Sequence, residues 1–301
     1  MIKVLSFGEL LWDIIAGEAH IGGAPFNLAS HLAKMGIHST YISSVGKDVL
    51  GEKALKIAKE YNLDTNYISI HSVLSTGKVD VYLNHKGHPK YTIHKDTAWD
   101  QINLNEGFRD LLFKENWFAF CFGTLAQRTE SNRNLLYDLL SHLQCQYIFY
   151  DVNLRQNFYQ KEWIEHSLHF SNMLKLNEEE VITLSELLLG KVVSKEQFCH
   201  TISSEYSLKI ICITLGEHGS IVYDGQNFFQ IPGVKVKVVD TVGAGDSYSA
   251  AFLFSFLSGL SPVESGLFAS QMGAFVASQV GAVPVYSAWL KEKINTLGKF
   301  S

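Results

Sequence analysis

The chain has 301 residues, of which 47% are hydrophobic and 18% charged, and its formal net charge is −5 at pH 7. This composition is typical of a globular protein with enough apolar mass to bury a core, and it excludes a disordered, collagen-like or disulfide-stapled chain. A mildly acidic protein is poorly suited to the phosphate backbone, so we expect no nucleic acid partner.

The four cysteines show no CxxC spacing, so the sequence offers neither a zinc ribbon nor a dithiol redox site. Their apolar neighbours predict buried, reduced thiols in a reducing compartment. The N-terminal apolar run is too short for a signal peptide, and the longest apolar run, residues 250–257, is too short to span a membrane. We therefore expect a cytoplasmic protein with no membrane partner.

Short β-branched runs alternate with helical patterns through most of the chain, which predicts a mostly parallel central sheet flanked by helices. The predicted strands are 2–7, 39–45, 117–121, 147–151, 173–176, 210–214 and 220–223. The predicted helices are 25–34, 50–60, 130–143, 163–170, 178–188, 195–205, 246–258 and 263–280.

One segment departs from this alternation. Residues 76–84 alternate with period two, a turn follows at 86–89, and residues 91–93 return, which predicts a hairpin without an intervening helix. Such a hairpin cannot join a helix-covered parallel sheet in the same manner, so it predicts a small separate sheet, to which residues 10–15 are a further candidate strand. We expect one domain over residues 1–301, with a discontinuous lid at about 10–22 and 75–95.

The most informative motif lies at residues 238–252, where a β-branched run ends at Asp240, two glycines follow, and an Ala- and Phe-rich helix begins. Small residues let a ligand approach the backbone, and the free amides of a helix start bind anions. Asp246 would repel a phosphate held by these amides. This conflict is resolved if Asp246 faces an attacking hydroxyl while the amides hold the charge of the transferred phosphoryl group. The motif alone is explained about equally well by a helix cap after a glycine turn.

Residues 240–248, Asp-Thr-Val-Gly-Ala-Gly-Asp-Ser-Tyr, resemble the C-terminal signature of the ribokinase-like (PfkB) family of sugar kinases. The family's other signature is matched by Gly-Gly-Ala-Pro-Phe-Asn-Leu-Ala at 22–29, so the resemblance covers essentially the whole chain. One departure is Val152, where the family usually has proline. Similarity to bacterial fructokinases in particular rests on residues 8–13, 98–100, 151–155, 177–180 and 214–219.

The resemblance implies a ribokinase-like α/β fold with a small β-sheet lid, and an ATP-dependent sugar kinase with Asp246 as general base. The main-chain amides of Val242 to Gly245 would form the anion hole, which adds Gly243, Ala244 and Gly245 to the catalytic residues. The implied sugar-binding residues are Asp13, Gly22, Gly23, Asn27, Asn153 and Arg155, and the implied nucleotide-binding residues are Asn177, Thr214, Gly216, Gly219 and Ser270.

The resemblance also implies Mg²⁺, on which Glu180 would act through water, and a homodimer formed through the lid. Activation by K⁺ is a hypothesis, since many relatives hold a monovalent cation near the anion hole. The matching positions are the side chain of Asp240 and the carbonyls of Val242, Val276, Gln279 and Gly281.

Several alternatives stay open at this point. From the residues alone, Asp13 could be a turn residue, Arg155 a structural ion pair, and Glu180 an acid that favours a helix dipole. Fructose is the preferred acceptor, with 2-keto-3-deoxygluconate, ribose or a nucleoside as alternatives. A non-catalytic sugar-binding regulator is a further class, whereas a dinucleotide-dependent oxidoreductase and a P-loop enzyme lack their glycine motifs in this sequence.

Overall fold

The computed structural model describes residues 2–15, 17–83 and 89–298. The strands are β1 (Lys3–Phe7), β2 (Leu11–Ile15), β3 (Glu18–Gly22), β4 (His38–Gly46), β5 (Ile68–His71), β6 (Gly77–Leu83), β7 (Pro89–Ile93), β8 (Asn116–Gly123), β9 (Gln144–Asp151), β10 (Met173–Asn177), β11 (Ile210–Thr214), β12 (Ser220–Tyr223) and β13 (Phe228–Ile231). The α-helices are α1 (Ala24–Lys34), α2 (Val49–Glu60), α3 (Glu106–Lys114), α4 (Glu130–His142), α5 (Lys161–Phe170), α6 (Glu178–Leu189), α7 (Lys195–Tyr206), α8 (Ala244–Leu257), α9 (Pro262–Ala277) and α10 (Ala288–Leu297).

Nine of the described strands form one large sheet in the order β13-β12-β11-β10-β9-β8-β1-β4-β5. Neighbouring strands from β11 to β5 are parallel, while β12 and β13 run antiparallel at one edge. The helices cover both faces, as a parallel sheet requires. The predicted fold class, a mostly parallel α/β sheet with a small separate sheet, is confirmed.

The two faces of the large sheet pack into two separate cores. In β11, Ile211 and Ile213 belong to one core and Ile210 and Cys212 to the other, because side chains alternate between the faces of a strand. With both faces covered, the strand reads as a continuous apolar run. For this reason the predicted strand 210–214 has the same bounds as the observed one.

The second sheet has the order β3-β2-β6-β7, with β2 and β6 parallel and the other neighbours antiparallel. The predicted hairpin therefore pairs with the predicted strand 10–15, in a sheet of its own. Residues 84–88, including most of the predicted turn, lie outside the described residues. The division into one domain with a lid at about 10–22 and 75–95 stays a prediction.

Five of the named elements were not predicted, and one of them, β3, is a mostly exposed edge strand of the small sheet. The strands β5 and β13 are the edges of the large sheet, and their mixed burial leaves no continuous apolar run. The helices α3 and α10 bury few residues, Leu112 alone in α3, so their apolar pattern is weak. The β-branched run before Asp240 belongs to an irregular segment rather than to a strand.

All four cysteines are free thiols, three buried and Cys145 half-buried. Burial raises the pKa of the Cys145 and Cys199 thiols to about 12, which makes them inert structural residues. None of the helices in the described ranges is both long and apolar enough to cross a membrane.

Candidate active site

Helix α8 begins directly after a glycine in the left-handed region. Gly243 has φ 76°, and a Cβ at this position would lie 2.6 Å from Cβ of Ala282. Both the backbone conformation and the close approach therefore require glycine. The turn brings the first amides of α8 to the surface of a large cavity, which is lined by Ala244 and Gly245.

Only two of the four predicted anion-hole amides are free. The amide of Val242 donates to Oδ1 of Asp240 at 3.0 Å, and that of Ala244 donates to a main-chain carbonyl in the same turn at 3.2 Å. Among the described residues, nothing accepts a hydrogen bond from the amides of Gly243 and Gly245. Of the predicted anion-hole amides, those of Gly243 and Gly245 are therefore available to an anion, at the positive end of the dipole of α8.

The two family-like signatures meet at Asp246. This residue lies in the first turn of α8, and its Oδ2 accepts a hydrogen bond of 2.8 Å from Nδ2 of Asn27 in α1. Burial raises the pKa of Asp246, and the Asp151 carboxylate adds to this rise. The hydrogen bond from Asn27 and the positive charges of Lys175 and Arg155 act in the opposite direction.

Three carboxylates surround the charge of Arg155, which lowers the pKa of each of them: Glu9, Asp13 and Asp246. Burial nevertheless raises the pKa of Glu9 to about 7 and that of Asp13 to about 6. Arg155 itself is exposed, on the segment that follows β9. The fold therefore brings the guanidinium within electrostatic range of all three acids.

The Arg155 segment is held in an unusual backbone conformation. Asn153 and Gln156 both have positive φ, at 43° and 51°. Such strain in non-glycine residues is concentrated at functional sites. Asn153 also lines a cavity of about 10 Å³ with Asp151 and Ala24, which is room for about one water.

The glycines of the first signature pack against the acids. A Cβ at Gly22 would lie 2.6 Å from Oδ2 of Asp13, and a Cβ at Gly23 would lie 2.2 Å from the carbonyl oxygen of Glu9. Gly23 also has φ 110°, which other residues rarely adopt. The cross-strand partners of Asp13 in the small sheet are His20 in β3 and Val79 in β6, and His20 is a residue that the sequence reading missed.

A cavity of about 630 Å³ adjoins the first residues of α8. Four of the five predicted nucleotide-binding residues line it, together with Ala244 and Gly245. Sequence reasoning missed its other walls, although the alternation of valine and lysine at 234–238 was a visible signal. The predicted residues are Thr214, Gly216, Gly219 and Ser270, and the unpredicted apolar wall is Val234, Val236, Val238, Ala274 and Ala277.

Asn177 and Glu180 are placed apart from this cavity, at the start of α6. They form a reciprocal capping box, and the two carboxylate oxygens of Glu180 accept from the amides of Asn177 at 2.8 Å and Leu154 at 2.7 Å. Burial raises the pKa of Glu180. In residues 2–15, 17–83 and 89–298 no three His, Cys, Asp or Glu side chains cluster to hold a metal. Because both oxygens of Glu180 already accept main-chain hydrogen bonds, this carboxylate suits Mg²⁺ through water, as Mg²⁺ often binds.

The predicted K⁺ positions lie on two adjoining segments. Oδ1 of Asp240 accepts from the amide of Val242, and Oδ2 accepts from the amide of Gly281 at 3.2 Å. The carbonyl of Val276 accepts from the amide of Gln279 at 2.9 Å. Several of the predicted ligand atoms thus already have hydrogen-bond donors, and K⁺ activation stays a hypothesis.

The residue most clearly missed is Lys175. It is the one charged side chain within β10, and it pairs with Asp151 at 3.1 Å between Nζ and Oδ1. A lysine in an otherwise apolar strand was the available signal, because a buried charge needs a partner.

The chain is similar to known proteins along most of its length. The model of the pfkB family of carbohydrate kinases matches residues 3–288. The chain is 29% identical over 299 residues to an uncharacterized sugar kinase of Pyrococcus horikoshii, covering 93% of this chain and 91% of the relative. The crystal structure of that kinase in complex with ATP has a TM-score of 0.80, at 28% identity and 93% coverage of each chain.

Two fructokinases are also similar. The chain is 27% identical over 276 residues to the fructokinase of Escherichia coli, covering 87% of each chain. The structure of the Xylella fastidiosa fructokinase with bound ATP has a TM-score of 0.86 at 20% identity, covering 99% of this chain and 98% of the other. This second likeness shows that the ribokinase-like fold is shared.

Proposed function

The chain belongs to the pfkB family of carbohydrate kinases, and we propose that it transfers the γ-phosphoryl group of ATP to fructose, giving fructose 6-phosphate. The supporting observation is the position of Asp246. It lies one residue from the free amide of Gly245, which lines the cavity, and accepts a hydrogen bond from Asn27 in α1. A donor and an acceptor of the phosphoryl group could therefore meet at this helix end.

Charge supports a neutral sugar as the acceptor. Glu9, Asp13 and Asp246 bring three carboxyl groups to this site, and Arg155 is the cation that interacts with all of them. An acidic acceptor such as 2-keto-3-deoxygluconate would meet net negative charge, whereas sugar hydroxyls can donate hydrogen bonds to Asp13. The E. coli relative, which is a fructokinase, supports the same choice.

In this mechanism Asp246 positions the attacking hydroxyl and accepts its proton. Oδ2 is taken by the hydrogen bond from Asn27, which leaves Oδ1 for the hydroxyl. Phosphoryl transfer is largely dissociative, so the proton can move late and the carboxylate need not be a strong base. The free amides of Gly243 and Gly245, with the dipole of α8, would stabilise charge on the transferred group.

The large cavity suits ATP. Its apolar wall of valines and alanines offers a surface for a planar base, and Ser270 and Thr214 are available for polar contacts. Magnesium, when bound, neutralises charge on the phosphates, and Glu180 would hold it through water. This arrangement assigns the sugar to the small-sheet side of α8 and the nucleotide to the cavity side.

The first test is a coupled ADP assay with ATP, Mg²⁺ and a panel of fructose, ribose, 2-keto-3-deoxygluconate and a nucleoside. We expect fructose to give the highest kcat/KM. Asp246→Asn should bind ATP but lose at least about 10²-fold in kcat, the lower range for loss of a general base. Asp224→Asn, in the exposed turn between β12 and β13, is the matched control and should keep its activity. Full activity of Asp246→Asn, or a preference for the sugar acid, would contradict the proposal.

The small sheet supports a homodimer as part of this proposal. The register places Ile15 beside Val81 and Val81 beside Tyr91, an apolar row on the face that also carries Asp13. Ile15 is 40% exposed and Tyr91 is 49% exposed. An exposed apolar row of this kind is suited to pack against a second copy of the chain. Light scattering should give twice the chain mass, and Tyr91→Lys should lower it to one chain mass.

A further inference from the structure

A buried ion pair lies beneath the first turns of α8. Nζ of Lys175 is 3.1 Å from Oδ1 of Asp151, and these side chains are only 7% and 10% exposed. Oδ2 of Asp151 accepts a hydrogen bond of 2.8 Å from Oγ of Ser249 in α8. The pair thereby connects β9 and β10 to the helix that carries Asp246. Burying two charges is a weak source of stability, so the pair calls for another explanation.

The ammonium group lies next to the anion hole. A Cβ at Gly245 would lie 3.3 Å from Nζ of Lys175, so the missing side chain leaves room for the charge. The cavity is lined by Gly245, with the ammonium of Lys175 beneath it. Lys175 can therefore act on the site through its positive charge and by packing beneath the first turns of α8, without touching a substrate.

The charges around this ammonium are mostly negative. Asp151, Glu180 and Asp246 each interact with Lys175 electrostatically. Without the ammonium, no charge in β10 would offset these three carboxylates. A fixed cation in a buried site is worth more than one in water.

We propose that Lys175 is a positioning residue for phosphoryl transfer: its buried ammonium supports the first turns of α8 and supplies the fixed positive charge beside Gly245 and Asp246. This role rests on the proposed function, because the charge matters for catalysis only if the transfer takes place at this end of α8. Asp151 and Ser249 hold the ammonium in position.

Lys175 and Asp151 change the pKa of Asp246 in opposite directions. The role of Lys175 can therefore be tested by the direction in which each variant shifts this pKa. The ammonium favours the ionised carboxylate, whereas the Asp151 carboxylate disfavours it. The other charged groups act on Asp246 from the sugar side and are left unchanged by the test. The charged and titratable groups that interact with Asp246 are Glu9, Asp13, Asp151, Arg155 and Lys175.

The experiment compares pH profiles of kcat/KM, whose acidic limb reports the pKa of the catalytic base in the free enzyme. In Lys175→Met we expect the acidic limb to move to higher pH and kcat to fall by about tenfold or more, the effect of one pKa unit or more of charge interaction. In Asp151→Asn the acidic limb should move to lower pH. Lys3→Met removes the same charge from a pair with Glu115 at the amino-terminal ends of β1 and β8, and should change neither quantity.

A purely structural role would lower kcat in both single variants without opposite shifts of the acidic limb, and that result would overturn the proposal. If the single variants fold poorly, the neutral double variant Lys175→Met/Asp151→Asn decides, because neutral replacements of a buried pair are often tolerated. We expect its kcat to be at least about tenfold below that of the unmodified chain. A kcat equal to that of the unmodified chain would overturn the role of Lys175.

The proposed function is tested separately by the unmodified chain on the sugar panel. If the chain phosphorylates a sugar other than fructose, the acceptor assignment fails, but the variants are compared on that sugar. If Asp246→Asn keeps its activity, the proposed catalytic role of Asp246 fails, and the Lys175 proposal is overturned with it.

Discussion

Glu9 is a buried carboxyl group at the first turn after β1. It is 3% exposed, and its Oε2 has no hydrogen-bond partner in the described part of the chain. Burial raises its pKa to about 7 from an ordinary value of 4.5, although the nearby charge of Arg155 opposes the rise. Between these two values the folded chain holds a proton that the unfolded chain has lost. This contribution to stability is therefore fully present below pH 4.5 and is lost as the pH rises through about 7.

Glu9→Gln removes this titration at nearly constant shape. We compare the free energy of unfolding of the unmodified chain with that of the variant at each pH. A pKa shift of this size should lower the difference between the two by about 3 kcal/mol from acid pH to pH 8. Urea unfolding at pH 5, 6, 7 and 8 measures the difference. Glu292→Gln, an exposed residue in α10, is the control and should follow the unmodified chain at every pH. Parallel curves for Glu9→Gln and the unmodified chain would show that Glu9 is charged in the folded state.

At the scale of elements, the start of α8 depends on Gly243 for its geometry. An added Cβ would meet Cα and Cβ of Ala282 at 2.7 and 2.6 Å, so the turn would have to move away from the 282 segment. Displacements of about 1 Å at a reacting centre lower rates by about 10²-fold. We therefore expect Gly243→Ala to lower kcat by about that factor while the chain stays folded, measured in the coupled ADP assay.

Gly259 provides the matched control at the other end of the same helix. It has φ 94°, so alanine suffers similar backbone strain there, but a Cβ at this position meets nothing within 4 Å. Gly259→Ala should lose stability and keep its kcat. Equal losses of kcat in the two variants would mean that strain in α8, rather than the clash with Ala282, controls the rate.

The predictability of each element follows from its burial. The strand β11, covered on both faces, has a continuous apolar run and was predicted to the residue, whereas the edge strands β5 and β13 were missed. In the site, motif spacing predicted that residues from both ends of the chain converge, and Asn27 does bond to Asp246. The partnership of Lys175 with Asp151 depends on which strands are neighbours, and no local pattern in the sequence carries that information.

At the scale of the whole molecule, a buried clamp connects the small sheet to the large one. Nε and Nη2 of Arg128, which follows β8, donate to the carboxylate of Asp100 at 2.6 and 2.7 Å, and Nη2 also donates to the carbonyl of His94, next to β7. The guanidinium stacks on the ring of Trp99 at 4.0 Å. Both charged side chains are only 5% exposed. This buried contact therefore helps to hold the small sheet in place, together with the apolar cluster of Leu11, Val79, Ile93, Trp99 and Leu125.

Breaking the clamp should increase the hydrolysis of ATP relative to phosphoryl transfer to the sugar. If the small sheet excludes water from the site, a displaced sheet admits water as a competing acceptor. For Arg128→Leu we expect a KM for sugar raised by about tenfold or more, the effect of about 1.4 kcal/mol, and a higher ratio of sugar-independent ATP hydrolysis to sugar phosphorylation.

Loss of a buried pair destabilises by about 3 to 5 kcal/mol, so folding is checked first by thermal unfolding and the assays are run well below the midpoint. Arg109→Leu breaks a half-exposed pair with Asp138 and should leave the ratio unchanged. An unchanged ratio in folded Arg128→Leu would show that water is excluded by the cleft itself and that the small sheet serves only to bind the sugar.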